Sequence, residues 1–489
     1  MTEPSAPPPE TPGSHPLELS GPAMRALVAA AMERIVAHLA TLPEQPAADT
    51  AGGEELARAL IEPLPLTGTP FRELLDLLFD RAVPRSFNTA GPGYLAYIPG
   101  GGLFHAAVAD LIADSVNRYV GVFAAAPALS QLEANVVRWF GELIGYPAGA
   151  RGILTSGGSL ANFTALVTAR RERLPPDFLR GTLYASDQIH HSVAKAALLA
   201  GFPEENVRLL PSDSSFRLRL DALGEAVAAD RRRGLRPFLV VASAGTVNTG
   251  AVDPLPELAA WSRREGLWLH VDAAYGGFFL LTPAGKEALA GIAAADSVVL
   301  DPHKGLFLPY GTGALLVRDG AALERAHRVH HIGADYLPAM QDDPDLVDFC
   351  QLSPELSRPF RGLRVWLPLK LHGAAAFRDA LAEKLELARF AAAELATIPG
   401  IEIVAPPQLS IVAFRLALPV LTREERDRTN RQLLAAVNRR NRVHLTGTLL
   451  PSGFVLRICV LSFRTHRDRV EACLTDLRQA VAEVTAESR

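Results

Sequence analysis

Two charged residues stand at the ends of apolar runs. "HVDAAYGGFF" follows one such run with Asp272, and "DSVVLDPHKGLFLPYGTGALLV" follows the next with Lys304. The chain has only five lysines. Lys195 lies in a helical pattern after "HHSVA", Lys286 in the polar loop "TPAGKEA", and Lys370 and Lys384 in or beside amphipathic helices, where facing solvent is role enough. Lys304 comes just after "SVVL" and before an apolar, glycine-punctuated stretch, so its ammonium must be paired, deprotonated or used covalently. A desolvated lysine has a lowered pKa and makes a good Schiff-base nucleophile. Asp272, at the end of "LWLHV", reaches the same sheet edge. There a carboxylate would keep the ring nitrogen of an aldehyde-bearing pyridine cofactor protonated, and the protonated ring would withdraw electrons from a carbanion. Each residue also has a plainer reading: a surface lysine in a strand-to-helix turn, and a helix-capping aspartate.

Two further motifs extend the pattern. "GILTSGGSLANFTAL" is an apolar strand, the turn Ser156-Gly157-Gly158-Ser159 and a helix. Glycines there let the backbone approach an anion, and free amides with a serine hydroxyl would bind a phosphate. The turn is neither a dinucleotide fingerprint nor a P-loop. "YASDQIHHSVAKAALLAG" sets His190 and His191 just past another strand, where one could lie against an aromatic ring or both could serve as helix-start polar residues. No third ligand at suitable spacing accompanies them, so no metal site is expected.

These residues need a scaffold that brings strand ends together. The runs "GILT", "TLYAS", "NVRLL", "FLVVAS", "LWLHV", "SVVL" and "GALLV" alternate with helical patterns such as "SLANFTALVTARRERL" and "LDALGEAVAADRRRG". Such alternation predicts an α/β fold with a mostly parallel sheet covered by helices, whose chemistry gathers at the carboxyl ends of the strands. Upstream, "SGPAMRALVAAAMERIVAHLATLPEQP" predicts a helix capped by Ser20 with one apolar stripe, and "TPFRELLDLLFDRAV" a second with Thr69 as cap and Pro70 at its first position. Downstream, longer amphipathic helices with "IEIVAP", "LSIVAF" and "FVLRICV" predict a small α+β unit. The expected division is a disordered leader over 1–19, an N-terminal helical dimerisation arm over 20–100, a large cofactor-binding domain over 101–372 and a small C-terminal domain over 373–489.

Composition bounds the rest. With 48% hydrophobic and 21% charged residues the chain is ordinary globular protein, and 489 residues imply two or three domains. A net charge of -4 offers no basic excess for nucleic acid. No stretch reaches the roughly 20 apolar residues of a bilayer span. The cysteines Cys350, Cys459 and Cys473 are odd in number and widely spaced, which points to the cytoplasm.

Phosphate turn, histidine, aspartate and lysine, in that order, together with "HVDAAYGG", "DPHK" and "RPFRGLRVWLPLKLHG", resemble the pyridoxal-phosphate-dependent group II amino-acid decarboxylases. The resemblance runs from the N-terminal helices to near the C-terminus. It implies a fold-type-I, aspartate-aminotransferase-like homodimer with active sites at the subunit interface and pyridoxal 5'-phosphate as cofactor. The substrate would be an aromatic or other bulky L-amino acid, converted to its amine and CO2. By position, Lys304 would carry the cofactor and Asp272 would hold its pyridinium nitrogen. His190 would stack on the ring and touch the substrate carboxylate, with Ala274 on the opposite face. Gly158 and Ser159 would bind the phosphate with His303 nearby, and Thr246 would join the cofactor site.

Three positions depart from the family pattern. Gly305 replaces the tryptophan that often follows the lysine, a change expected to loosen a packing contact. "YLAYIPGGG" carries small residues in the substrate-pocket stretch. Counting back from "RPFRGLRVW", Phe349 falls on the mobile-loop tyrosine that gives Cα its proton in this family. Loss of that hydroxyl would leave the carbanion open to oxygen and yield aldehyde, ammonia and peroxide, unless Tyr336 or a histidine of "HRVHH" supplies the proton. An aminotransferase or Cβ lyase would share the lysine and aspartate but lack "DPHK" and "RPFRGLRVW". A non-catalytic scaffold would not need Lys304, Asp272 and His190 together.

Overall fold

The computed structural model describes residues 17–328, 343, 346–418 and 421–487. The expected apolar runs become one sheet: β1 Arg151–Thr155, β2 Gly181–Ser186, β3 Val207–Leu210, β4 Arg236–Ser243, β5 Trp268–Asp272, β6 Ser297–Leu300 and β7 Gly313–Val317. Its order is β1-β7-β6-β5-β4-β2-β3. The strands β3, β2, β4, β5 and β6 pair in parallel, which requires crossover connections rather than hairpins. Every residue of β5 and β6 is buried, which is why both read as continuous apolar runs instead of alternating ones. β7 lies antiparallel to both β1 and β6, so β1 points the same way as β6. The carboxyl ends of β1, β2, β4, β5 and β6 therefore open on one edge.

A second, antiparallel sheet of β8 Ile401–Ala405, β9 Ile411–Leu416, β10 Thr446–Leu450 and β11 Gly453–Cys459 has the order β10-β11-β9-β8. β10 was not foreseen: it is an edge strand, mostly half-buried, with no alternation to betray it. Helices Arg423–Asn438 and Arg467–Glu487 supply Leu433, Val437, Leu474 and Leu477 to the core beneath this sheet. Leu95, far upstream, joins that core and donates its amide to the His444 carbonyl at 3.0 Å.

The first helix, Gly21–Ala40, begins as expected, with Ser20 Oγ accepting from the Ala23 amide. None of its residues is buried; Ala31, Met32, Ile35 and Leu39 are half-buried, while Met24, Leu27 and Val28 at its start stay exposed, so among the described residues the stripe is only partly covered. The second helix, Phe71–Asp76, starts later than expected: Pro70, lacking an amide, takes the cap position and Thr69 makes no capping bond. It continues as a π-helical turn, Leu77–Ala82. Lys286 lies in the short helix Pro283–Ala288, capped by Thr282, rather than in a loop, though it does face solvent. Gly373, with φ 70°, interrupts the long helix Arg361–Leu395. Among the described residues no helix is long and apolar enough to cross a membrane.

Lys384 corrects the expectation of a solvent-facing role. It is 0% exposed within Arg361–Leu395. Its ammonium donates to Glu383 Oε2 at 2.7 Å and to the Thr465 carbonyl at 2.5 Å, tying this helix to the segment before Arg467–Glu487. Burial holds its pKa below the ordinary lysine value despite the Glu383 carboxylate. Between the folded and unfolded pKa values the unfolded chain binds more protons, so the native state gains stability as pH rises through that window. Lys384→Met leaves the Thr465 carbonyl unpaired, at a cost of about 1–3 kcal/mol, and removes this gain. Thermal unfolding from neutral to alkaline pH is expected to show the wild type pulling ahead of the variant; a constant difference would mean an unshifted lysine.

Candidate active site

At the shared strand edge a cavity of about 270 Å³ collects the residues that the sequence singled out. Lys304, Asp272 and His190 line it, and so do Gly158, Ser159, Thr246, Ala274 and His303. Their placement follows from the topology. Asp272 is the last residue of β5, flanked in register by Ser243 on β4 and Val299 on β6. Lys304 sits in the helical turn Pro302–Gly305 directly beyond β6. The turn after β1 carries Gly157 and Gly158, and His190 lies beyond β2.

Lys304 Nζ lies 2.8 Å from Asp301 Oδ2. Burial alone would lower the ammonium's pKa, but the hydrogen-bonded Asp301 carboxylate, with Asp272 behind it, outweighs burial and raises the pKa above the ordinary lysine value. This reverses the expectation of a lowered pKa. Asp301, which opens "DPHK", gives no sign in the sequence that it faces the lysine three residues on. Its Oδ1 is buried without a hydrogen-bond partner among the described residues.

Asp272 is 8% exposed. Its Oδ1 accepts from the Ala274 amide at 3.1 Å and its Oδ2 from Asn162 Nδ2 at 3.0 Å. Asn162 was also missed, because nothing local marks a residue one turn into a helix as the partner of an aspartate at the end of another strand. His190 fills the helix-start role and also faces the cavity. Its Nδ1 caps the helix His191–Leu199 by accepting from the Ser192 amide at 3.2 Å, and its ring lines the cavity. Burial lowers its pKa against the pull of Asp272, which leaves the imidazole neutral. His303 is likewise lowered by burial, and its Nδ1 lies 2.6 Å from the Thr312 carbonyl. The Thr246 hydroxyl is engaged within its own turn, 2.9 Å from Thr249 Oγ1 and accepting from the Ala251 amide at 3.1 Å.

Phe349 does not line this cavity within the single chain. It begins the 3-10 turn Phe349–Gln351, is 1% exposed, and packs its ring under the Arg358 guanidinium, 5.1 Å from Cζ to centroid. Asp348 and Cys350 tie that turn to Phe123 and Gly121 by hydrogen bonds of 2.6 and 3.0 Å. Tyr336, His330 and His331 lie outside the described residues, while His327 is held against Thr168 at 3.2 Å. Gly305 loosens nothing: a Cβ there would meet Phe278 Cβ at 2.6 Å, so Phe278 already fills the space.

The donor set fits pyridoxal phosphate. The helix Gly158–Arg173 starts without a side-chain cap, leaving amides open beside Ser156 and Ser159 for a phosphate. A Cβ on Gly158 would meet Asp301 Oδ2 at 3.1 Å and Ala274 Cβ at 3.3 Å, so a side chain there would push on both neighbours. A lysine for the aldehyde and a buried carboxylate for the ring nitrogen complete the requirement.

Comparison with known proteins agrees. The pyridoxal-dependent decarboxylase conserved domain matches residues 80–417. An aromatic-L-amino-acid decarboxylase of Bacillus atrophaeus is 34% identical over 96% of this chain and 98% of its own. A phenylacetaldehyde synthase of Arabidopsis thaliana is 30% identical over 83% and 86%. The crystal structure of Oryza sativa TDC with PLP and tryptamine superposes with a TM-score of 0.88 at 25% identity, covering 95% of this chain and 99% of that one. With its lysine, carboxylate and phosphate turn on one strand edge, this chain is a pyridoxal-phosphate-dependent carboxy-lyase and belongs to the pyridoxal-dependent decarboxylase family.

Proposed function

We propose that this chain decarboxylates an aromatic L-amino acid to the amine and CO2, using Lys304, Asp272 and His190. The observation that carries the reading is their convergence with the phosphate turn on one cavity. The aromatic substrate is supported by the Bacillus atrophaeus relative. Pyridoxal phosphate, when bound, supplies the electron sink for the pair released as CO2 leaves Cα. Lys304 would bind its aldehyde, and the amides before and within the first turn of Gly158–Arg173, with Ser159, would hold its phosphate. Asp272, held in place by its two donors, would hold the proton on the ring nitrogen. His190 and Ala274 would take the two ring faces, with His190 Nε2 toward the substrate carboxylate. The partly uncovered stripe of Gly21–Ala40 supports a homodimer. Placing aspartates at Met24 and Val28 is expected to halve the mass measured by light scattering.

A specific observation bears on the aldehyde alternative. Phenylacetaldehyde synthases occur among the relatives. Phe349 has no hydroxyl to give Cα a proton and does not line the cavity of the single chain, so the amine requires a proton from another residue. Tyr336, the one tyrosine between His327 and Phe349, is then the proton source we propose. Mass-spectrometric product analysis in air is expected to give amine from wild type and Phe349→Tyr alike, and no turnover from Lys304→Ala. Tyr336→Phe is expected to release aldehyde, CO2, ammonia and peroxide at the expense of O2 and water. An unchanged product ratio in Tyr336→Phe would remove Tyr336 from this role.

Asp301 sets the charge of the free lysine. Asp301→Asn lowers the Lys304 pKa, so cofactor uptake by the apoprotein, which needs the neutral amine, is expected to reach half its maximal rate at lower pH. Superimposable pH profiles would show that Asp301 does not control the lysine.

A further inference from the structure

Behind Asp272 runs a chain of buried hydrogen bonds that the reaction itself does not call for. Trp268 Nε1 lies 2.8 Å from Ser297 Oγ, which lies 2.8 Å from His270 Nδ1. His270 Nε2 is 2.9 Å from Asn162 Oδ1, and Asn162 Nδ2 reaches both Asp272 Oδ2 and Ser192 Oγ at 3.0 Å. Ser192 Oγ lies 2.7 Å from His190 Nδ1. Trp268, Ser297, His270, Asn162 and Ser192 are all buried.

The direction of every bond in this chain is fixed by its ends. The Trp268 indole can only donate, so Ser297 Oγ accepts it and keeps its own hydrogen available for His270 Nδ1. In that arrangement His270 carries its proton on Nε2 and gives it to Asn162 Oδ1. At the other end both Asp272 oxygens accept, Oδ1 from the Ala274 amide and Oδ2 from Asn162 Nδ2, which requires the same orientation of the Asn162 amide. A third fixed end agrees: the Ser192 amide can only donate, so His190 Nδ1 accepts and its N–H lies on Nε2. The Asp272 and Ser192 ends select one arrangement of protons, and the Trp268 end is compatible with it. A doubly protonated His270 would turn a second N–H on Ser297 and strip that hydroxyl of its acceptor. In accord with this, burial pushes the His270 pKa down to about 4.

We propose that His270 is a positioning residue for the decarboxylase site, its Nε2–H locking the Asn162 amide so that the Asp272 carboxylate stays aimed and Ser192 holds His190 in a single tautomer. The proposal rests on the reading of the cavity given above and adds a residue that touches neither cofactor nor substrate. Ser297 and Trp268 act through it.

The test compares His270→Leu, which removes the donor to Asn162, with His270→Gln, whose amide can replace it, and with Ser297→Ala, which frees the His270 tautomer without emptying the core. In His270→Leu, cofactor Kd is expected to rise about tenfold and the bound cofactor's visible absorption to shift toward the form with an unprotonated ring nitrogen. Its kcat is expected to fall about 10- to 100-fold, as for other supporting partners of a site, with KM little changed. Ser297→Ala is expected to move the same readouts less, and His270→Gln to restore most of them. A purely structural role would lower the unfolding temperature and leave the spectrum and Kd of folded protein untouched. Wild-type spectrum, Kd and kcat in both His270→Leu and Ser297→Ala, with Lys304→Ala inactive, would overturn the proposal alone. Activity in Lys304→Ala would overturn the reading of the site and the proposal with it.

Discussion

A carboxylate buried at the end of a central strand is the constraint on which the site depends. Asp272 sits between two fully buried β-segments, where an ionised group without donors would take up a proton instead. Its two acceptor positions are met by the Ala274 amide, from its own turn, and by Asn162, from a helix 110 residues earlier. No arginine or lysine touches it among the described hydrogen bonds and ion pairs, so its negative charge stays available to a cationic ring nitrogen rather than being neutralised by the protein. Dipolar donors hold a charge in place without cancelling it, which an ion pair cannot do.

The sheet makes this arrangement possible. Its parallel strands send their carboxyl ends to one edge, and the single reversed strand, β7, inserts between β6 and β1 without disturbing that alignment. Turns that are remote in sequence thereby become neighbours: the phosphate turn after β1, His190 after β2, Asp272 on β5 and the lysine turn after β6. Glycine decides how closely they approach, since a side chain on Gly158 would press on both Asp301 and Ala274. The edge serves as a site because several short, stiff connections meet there and no long loop is asked to find its own position.

The large sheet was legible because its strands are short β-branched runs between helical patterns, and Lys304 and Asp272 because each follows such a run. What was lost had physical reasons. β10 is an edge strand without alternation. The surroundings of Phe349 are set by contacts of its neighbours to Gly121 and Phe123, more than 200 residues earlier, which no local pattern announces. Asn162, Ser192 and Ser297 are ordinary polar residues until strands far apart in sequence bring them together. Lys384 was a different kind of miss, because the signal was present. Phe377, Leu381, Lys384, Ala388, Ala391 and Leu395 follow one another at steps of four and three, so the lysine lies within the buried stripe of its helix.

The two enclosed lysines show what distinguishes a reactive site from a perturbed one. Lys384 is the more deeply buried, and burial lowers its pKa, the property expected of an amine nucleophile. Yet it is packed among helices, with its ammonium spent on Glu383 and the Thr465 carbonyl, and nothing carrying an aldehyde could reach it. Lys304 has a raised pKa, held by Asp301, and so looks the poorer nucleophile. It nonetheless borders a cavity that also offers open helix amides and a carboxylate, and the Asp301 contact keeps its charge compensated while the amine is free. Displacing that contact is the cost of using Lys304, and the cofactor's own phosphate and ring contacts can meet it. Space and complementary groups, rather than burial or basicity, select the lysine that does the chemistry.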